Sequence, residues 1–315
     1  MKGTIITCRH ETLELPVLLA WKVVHTGTVP CDSYTVTFLY DKSMAEPLHL
    51  AAGFLATEGG AVMLRGIVDE FTVSMGTEGL TATVSGRGYA ARLLDNESRP
   101  LTYQGATLQE IIRNHVTPYG ISAAETAAVR ANSVYTVAAG SSQWKALEDF
   151  CRACGGFTPR FNRYGELLAA PETDDGQRIV IDEDTELLSI SRREDHYGVL
   201  SEVLVIDKSS GGSYTVRNED FLRRGGNRRQ VLCTPGRSSW QAMRYTGEYQ
   251  IRRSREGEVE IELTLPGIRD AEPGETVTLR RTGLGLAGTY RLSEVEQSGS
   301  ESRGAVTVLR LRERV

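Results

Sequence analysis

The chain has 315 residues, of which 40% are hydrophobic and 24% are charged, an ordinary globular composition that excludes collagen, coiled-coil and disordered classes. At roughly 100–200 residues per domain, this length predicts two or three domains whose cores need neither disulfides nor metal. The 36 basic and 41 acidic side chains give a formal charge of −5. The 32 glycines beside only 10 prolines favour many tight turns over unfolded linkers.

The first 30 residues predict neither a membrane span nor a secretory signal. The apolar stretch Leu15–Trp21 is interrupted by Pro16 and is far shorter than the ~20 residues that cross a bilayer. Residues 1–9 lack the apolar segment of a signal peptide. The five cysteines are an odd and sparse set, which favours free thiols in a reducing compartment.

Residues 1–96 predict a first β-barrel. The runs rich in Val, Ile, Thr, Phe and Tyr are separated by glycine-containing turns, and such a series of short strands is typical of a sandwich or barrel. The clearest hairpin has its turn at residues 76–79. The predicted strands are Thr4–Cys8, Ala20–Thr26, Ser33–Tyr40, Ala61–Ser74 and Leu80–Ser85.

Residues 97–176 predict an inserted α+β module. Thr107 and Glu110 have the spacing of a capping box, and the helix that follows stops near Pro118 and Gly120. A second helix is expected after Ser141–Ser142, with Trp144, Leu147, Phe150, Cys151 and Cys154 on its apolar stripe. A hairpin, residues 157–161 and 166–170, completes the module.

Residues 177–315 predict a second β-barrel, interrupted by a helix and loop segment at about 218–256. Strands are expected at Arg178–Ile181, Leu187–Arg193, Leu200–Asp207 and Ser213–Val216, then at Glu258–Leu265, Thr276–Arg281, Gly288–Glu296 and Ala305–Arg312. A helix is predicted from Ser238 to about Arg252, although Gly247 is unfavourable inside one. The hairpin at residues 66–85 resembles the one at residues 290–310, a faint internal repeat.

The chain offers no pattern that requires catalysis, a metal or a cofactor. Cys151 and Cys154 form its one CxxC pair, and a structural zinc needs four ligands. The pair lies at the C-terminal end of the predicted helix, where the helix dipole does not favour a thiolate, so core packing is the better interpretation. No nucleophile elbow or P-loop is present. The acidic clusters Asp174–Asp175 and Asp182–Asp184 look like solvated turns. We therefore predict a protein that is not an enzyme, without catalytic, metal-binding or cofactor-binding residues.

Charge is divided unevenly along the chain. Residues 1–222 carry a net charge of −10 and residues 223–315 a net charge of +5. The basic block 223–255 has nine arginines and one glutamate, whereas the acidic block 172–186 has seven carboxylates and one arginine. Aromatic residues do not interleave the first arginines, and the whole chain is acidic, so specific nucleic-acid binding is not expected. The predicted protein-interface residues are Arg223, Arg224, Arg228 and Arg229.

Two segments of the chain are similar in sequence pattern to a known family. One is Gly86–Glu97 with Tyr103, the Ala106–Leu108 cap and the helix end Ile111–Gly120. The other is Pro273–Leu279, followed by Leu286–Val295 and a terminal strand. Both segments resemble baseplate hub proteins of contractile phage tails. The order of elements is similar to that family over nearly the whole chain. The family includes the hubs of Mu-like and T-even phages, those of Bacillus prophages and phage-like bacteriocins, and the N-terminal part of VgrG.

The resemblance implies a structural role. Such hubs are homotrimers in which each subunit carries two similar tube-type β-barrels, so that three subunits match a hexameric tail tube to a trimeric central spike. The expected partners are the chain itself, the tail tube protein and the spike protein, with tape-measure and other baseplate proteins as further candidates. The expected location is the tail baseplate of a phage virion or phage-like particle, after synthesis in the bacterial cytoplasm. The alternatives are a cell-wall hydrolase of the tail tip and a β-barrel nucleic-acid-binding protein.

Overall fold

A computed structural model describes residues 1–27, 31–77, 79–131, 134–171, 178–234, 240–280 and 284–313. The chain divides into two compact units. The first comprises Met1–Ile179, Thr264–Thr276 and Leu292–Leu309, and the second comprises Val180–Leu263, Val277–Arg291 and Arg310–Val315. The expected division at residues 96 and 176 stays a prediction.

The first unit begins with a β-rich body that ends in a helical turn. Its elements are β1 (Lys2–Thr7), β2 (Thr12–Glu14), β3 (Leu18–Thr26), β4 (Ser33–Leu39), α1 (Ala45–His49), β5 (Ala51–Glu58), β6 (Ala61–Ile67), β7 (Glu70–Gly76), β8 (Gly79–Arg87) and α2 (Ala91–Leu94). A short 3-10 turn, Lys42–Met44, precedes α1.

Two sheets enclose the core of this body. One has the order β2-β1-β5-β6, and the other contains β3-β4-β8-β7. Strands alternate buried and exposed residues, because successive side chains of a strand point to opposite faces. The core takes apolar side chains from both sheets, including Ile5, Phe54, Val36, Phe38 and Val84. The predicted barrel-like arrangement of short strands therefore has a physical basis in one shared core.

The single strand expected at Ala61–Ser74 is two strands, β6 and β7, which belong to different sheets. Two glycines allow β6 to pass close to β8 where the chain moves from one sheet to the other. A Cβ on Gly66 would lie 2.4 Å from Arg87 O, and one on Gly86 would lie 2.0 Å from Ile67 O. Only glycine therefore permits β6 and β8 to approach so closely. Strand β5 was not predicted, because its Ala-rich and Gly-containing sequence has weak strand propensity.

The part of the first unit that follows α2 is an α+β module. It contains β9 (Leu101–Gln104), α3 (Leu108–His115), β10 (Ala123–Thr126), β11 (Val134–Val137), α4 (Gln143–Phe150), β12 (Arg160–Phe161) and β13 (Leu167–Ala169). The predicted capping box is confirmed, since Thr107 Oγ1 accepts from Glu110 N and Glu110 Oε2 accepts from Thr107 N. Ser142 caps α4 as expected. The two helices bury Leu108, Ile111, Trp144, Leu147 and Phe150 in one cluster.

The second unit contains β14 (Arg178–Ile181, in part), β15 (Ser189–Glu194), β16 (Glu202–Asp207), β17 (Ser213–Arg217), α5 (Glu219–Arg223), β18 (Arg229–Thr234) and α6 (Trp240–Arg255). The later strands are β19 (Val259–Pro266), β20 (Thr276–Leu279), β21 (Gly288–Ser300) and β22 (Gly304–Glu313). Of these, β19, β21 and β22 contribute residues to both units. The start of the helix expected at Ser238 lies outside the described residues.

Strands β16 and β17, expected in the second barrel, instead form a separate sheet of order β17-β16-β18. Helix α6 packs on it and buries Met243 and Ile251 against Val203 and Val205. Gly247 has a packing role in α6, because a Cβ there would lie 2.5 Å from Val216 Cγ2. The predicted mainly β fold with smaller α+β parts is confirmed.

One strand order occurs twice along the chain. In the first unit, β3, β4, β7 and β8 are arranged β3-β4-β8-β7. Among the later strands, β15, β19, β21 and β22 are arranged β15-β19-β22-β21. If the four strands of each set are numbered along the chain, their order in the sheet is first, second, fourth and third in both sets. The faint hairpin repeat of the sequence therefore belongs to a repeat of four strands.

Candidate protein interface

The predicted interface arginines lie beside the three-stranded sheet β17-β16-β18, whose one face is covered by α6. Tyr214 and Val216 of β17 face the helix together with Leu232 of β18. The alternate residues of the three strands therefore point to the opposite side, which we call the open sheet face.

Strand register arranges the open sheet face in three rows. Glu202 lies between Arg217 and Arg229, Leu204 lies between Thr215 and Val231, and Ile206 lies between Ser213 and Cys233. Leu204 and Ile206 are half-buried, whereas Val231 and Cys233 are exposed. The face thus has an aliphatic centre bordered on one side by a charged row.

The charged row is held by two ion pairs to one carboxylate. Arg229 Nε lies 2.6 Å from Glu202 Oε1, and Arg217 Nε lies 3.4 Å from Glu202 Oε2. Glu202 is mostly buried, while both arginines are largely exposed. The row therefore carries a net charge of +1 and presents guanidinium edges to solvent.

Two further arginines lie at the C-terminal end of α5, and each has a carboxylate partner. Arg223 pairs with Asp220 on the same helix. Arg224 pairs with the buried Glu258, and the hydrogen bond that it donates to this carboxylate raises the pKa of the Arg224 guanidinium. Arg224 Cζ also lies 5.5 Å from the centre of the Phe221 ring. These two guanidinium groups are thus oriented by contacts within the unit.

Of the four arginines, Arg228 is the one whose guanidinium is most available for a contact with another protein. Its Cζ lies 5.0 Å from the centre of the Tyr197 ring, a side chain that is 87% exposed. Its backbone carbonyl accepts hydrogen bonds from Ser201 N at 2.9 Å and Ser201 Oγ at 2.7 Å. Among the described residues no carboxylate pairs with Arg228. The backbone is anchored while the cation and the aromatic ring face solvent, a combination that is common in protein interfaces.

The structure therefore places the four predicted arginines in one region of the second unit, and it adds residues that sequence reasoning missed. These are Arg217, Glu202 and the aliphatic centre of the open sheet face. The alternating sequences of β16 and β18 could have indicated that these residues share one face of a strand. The sequence near each strand does not reveal that β16 pairs in parallel with β18. Whether these residues contact another subunit stays a prediction.

The acidic block proposed as their partner is only partly described. Glu172, Asp174 and Asp175 lie outside the described residues. Asp182 forms a turn, in which Thr185 Oγ1 donates to Asp182 Oδ1 at 2.8 Å. The side chains that follow in this block, Glu183, Asp184 and Glu186, are exposed or partly exposed.

The CxxC pair lies in a π-helical turn, Cys151–Gly155, at the end of α4. Cys151 is fully buried in the module's core, and burial raises its pKa to about 12. Burial also raises the pKa of Cys154. Within the described residues, no group of three or more His, Cys, Asp or Glu side chains is placed to hold a metal. Likewise, no helix in the described part of the chain is long and apolar enough to cross a membrane.

Comparison with known proteins shows similarity at the level of structure. No protein-family model and no curated protein matches the chain. The structure is similar to the 43 kDa tail protein of prophage MuSo2 from Shewanella oneidensis, with a TM-score of 0.82 and 14% identity, over 99% of this chain and 98% of that one. It is similar to a tail protein from Neisseria meningitidis MC58, with a TM-score of 0.76 and 16% identity, over 99% and 96% of the two chains.

A third similar structure is the c3393 protein of E. coli, a component of the type VI secretion system with structural similarity to T4 bacteriophage tail proteins. The TM-score is 0.60 and the identity 11%, over 96% of this chain and 75% of that one. At these identities the likeness establishes the fold. The chain has the fold of solved phage tail proteins, and the resemblance predicted from its sequence is confirmed at that level.

Proposed function

We propose that this protein is the structural hub of a contractile tail or of a related injection machine. Three copies form a ring-shaped adaptor between a hexameric tail tube and a trimeric central spike, at the baseplate of a virion or phage-like particle. The fold supports this proposal, because proteins of similar structure are tail proteins and a component of the type VI secretion system.

The repeated four-strand order carries the adaptor part of the proposal. Each chain has two copies of that order, so a trimer has six. A six-fold tube can then contact equivalent strands around the ring, although the subunits number three. A chain with one repeat would not resolve this symmetry mismatch as a trimer.

The open sheet face and the four arginines supply a contact for a protein partner. The aliphatic centre suits burial, and oriented guanidinium groups form paired hydrogen bonds with carboxylates. We infer that the partner surface is acidic around an aliphatic centre. Nucleic acid is a poorer fit, since three of the four guanidinium groups are already neutralised by carboxylates within the unit.

The test is a mass measurement of the full chain, alone and with the tail tube protein of the same particle. Mass photometry should show a species of three times the 34.6 kDa chain, either alone or on addition of tube protein. Electron microscopy of that species should show a ring with six similar lobes. A chain that remains monomeric under both conditions contradicts the proposal.

A further inference from the structure

Strand β7 carries an apolar stripe that no other described strand of the first unit covers. It is the last strand in the order β3-β4-β8-β7, and each of its seven residues is exposed. Phe71 is 38% exposed, Val73 39% and Met75 84%. Phe71 and Val73 lie opposite Val84 and Ala82 of β8, which are buried. The core-facing side of the sheet therefore continues onto β7 without cover.

Among the strands that the structure describes, none pairs with the outer side of β7. Leu80 O accepts from Tyr40 N, so the backbone groups of Leu80 point toward β4. Its partner on β7, Met75, therefore belongs to a pair that does not exchange hydrogen bonds with β8. By alternation, the N–H and C=O groups of Phe71, Val73 and Met75 all point outward.

An exposed apolar edge strand promotes aggregation if the protein remains monomeric. Soluble proteins protect exposed edge strands with lysine, proline, bulges or short length. Strand β7 has no lysine or proline, and its register with β8 is uninterrupted from Glu70 to Gly76. This combination indicates that another strand covers β7 in the assembled state.

The repeated strand order indicates which strand that is. Strand β21 has the position in the second repeat that β7 has in the first, and its outer side is paired. Glu294–Ser300 of β21 lie antiparallel to Ala20–Thr26 of β3, the first strand of the other repeat. Lys22 Nζ of β3 lies 2.8 Å from Glu296 Oε1 of β21. The chain thus contains one complete example of this junction.

We propose that β7 pairs, antiparallel, with β15 of a second copy of the chain. This inference rests on the proposed hub function and names the strands that join its subunits. Strand β15 is the first strand of the second repeat, as β3 is of the first. It is the end strand in the order β15-β19-β22-β21, and it is exposed along nearly its whole length.

The charges of the two strands match those of the existing junction. There, the cation Lys22 lies on the first strand of one repeat and the carboxylate Glu296 on the hairpin strand of the other. Strand β15 carries Arg192 and Arg193 beside Glu194, a net charge of +1, and β7 begins with Glu70. Arg192 pairs with Glu194 and Arg193 with Asp195, so a carboxylate of β7 would join these pairs. Because each copy has one β7 and one β15, this pairing joins copies head to tail, which is the arrangement that generates rings.

The test compares two lysine substitutions on adjacent residues of β7. Val73→Lys places a charge on the apolar stripe, and Thr72→Lys places the same charge on the opposite, polar face of the strand. Sedimentation should show that Val73→Lys weakens assembly at least tenfold, while Thr72→Lys assembles like the wild type. Val73→Pro gives a second variant, since it removes an outward N–H and leaves the pairing with β8 intact. Circular dichroism verifies that each variant is folded.

Hydrogen exchange then identifies the partner strand. In the wild-type assembly, amides of β7 and β15 should both be protected, and both should lose protection in Val73→Lys. A wild-type assembly in which β15 exchanges as fast as in the monomer overturns the inference, as does normal assembly of both Val73 variants. Those results leave the hub proposal standing. A wild-type chain that is monomeric both alone and with tube protein overturns the hub proposal itself.

Discussion

Gln143 Oε1 lies 2.7 Å from His115 Nδ1, and this contact joins the first residue of α4 to the last residue of α3. Both side chains are buried. Gln143 Nε2 donates to Tyr119 Oη at 2.9 Å and to the carbonyl of Glu97 at 3.1 Å. His115 Nε2 accepts from Tyr103 Oη at 2.9 Å. One amide side chain therefore satisfies polar groups from three segments of the module.

Replacing Gln143 with alanine should destabilise the module. The change removes the partner of Tyr119 Oη and leaves His115 Nδ1 with only a 3.4 Å contact to Ser98 Oγ among the described residues. A buried polar group that loses its hydrogen bond costs about 1–3 kcal/mol. Chemical denaturation should show a loss of free energy of unfolding in that range. Gln104→Ala, at an exposed position on β9, is the matched control and should have little effect.

Trp144→Ala should be the most destabilising truncation in α4. Trp144 is buried, and its ring centre lies 6.0 Å from that of Phe161. Loss of such a side chain costs about 3–5 kcal/mol. Thermal or denaturant unfolding measures the effect, with Trp240→Ala as control, because Trp240 is more than half exposed. Equal losses in the two variants would contradict the packing of this cluster.

Stability should depend on pH through the capping box of α3. Hydrogen bonds from the backbone and hydroxyl of Thr107 lower the pKa of Glu110. A lowered pKa in the folded state means that the stabilisation is present above the ordinary glutamate value of about 4.3 and is lost as pH falls through the folded-state pKa. Glu110→Gln should therefore lower the Tm at neutral pH, and this difference should vanish in acid.

Glu125→Gln is the control for that titration, since Glu125 is an exposed glutamate of the same module. It should leave the Tm nearly unchanged over the whole range. A Tm difference for Glu110→Gln that stays constant into acid would show that the carboxylate charge has no part in the cap.

The thiols should divide into two reactivity classes. Cys8 and Cys233 are exposed, whereas burial raises the pKa of Cys31 to about 11 and that of Cys151 to about 12. Because the thiolate is the reactive form, iodoacetamide at mildly alkaline pH should label Cys8 and Cys233 first. Mass spectrometry of digested protein measures the order. Rapid labelling of Cys151, or stoichiometric zinc in elemental analysis, would contradict its place in the core.

The arginine surface should serve assembly and not nucleic-acid binding. Among the described residues, the Arg228 side chain contacts the Tyr197 ring and no carboxylate, so we expect Arg228→Ser to weaken assembly and leave unfolding unchanged. Combining Arg223→Ser and Arg229→Ser with Arg228→Ser should weaken assembly further. Each exposed ion pair that is lost should lower the free energy of unfolding by about 0–1 kcal/mol. Arg224→Ser is made separately, since it leaves the buried Glu258 with only the longer ion pair to Arg255, at 3.5 Å, among the described residues.

Mass photometry and a DNA-binding titration at two salt concentrations measure these variants. DNA affinity should be negligible for all of them. Salt-sensitive DNA binding by the wild type that disappears in the serine variants would contradict a protein partner, because counterion release makes such binding depend strongly on salt.

Several features of this protein could be predicted from local sequence alone. The capping box at Thr107 and Glu110, the start of α4 after Ser142, and most strands of the first body depend on hydrogen bonds and alternation within a few residues of the chain. The burial of Trp144 and Cys151 follows from helical periodicity in the same way. Such patterns hold because their physical causes are local.

Tertiary structure alone decided which strands are neighbours. Strands β6 and β7 can belong to different sheets because Gly66 and Gly86 allow β6 and β8, which are distant in sequence, to approach closely. The parallel pairing of β16 with β18 places Arg217, Glu202 and Arg229 in one row, although up to 27 positions separate Glu202 from its partners. The exposed stripe of β7 is likewise invisible in its alternating sequence. An alternating strand reads the same at an edge or in the middle of a sheet, since the difference is made by which other strand pairs with it.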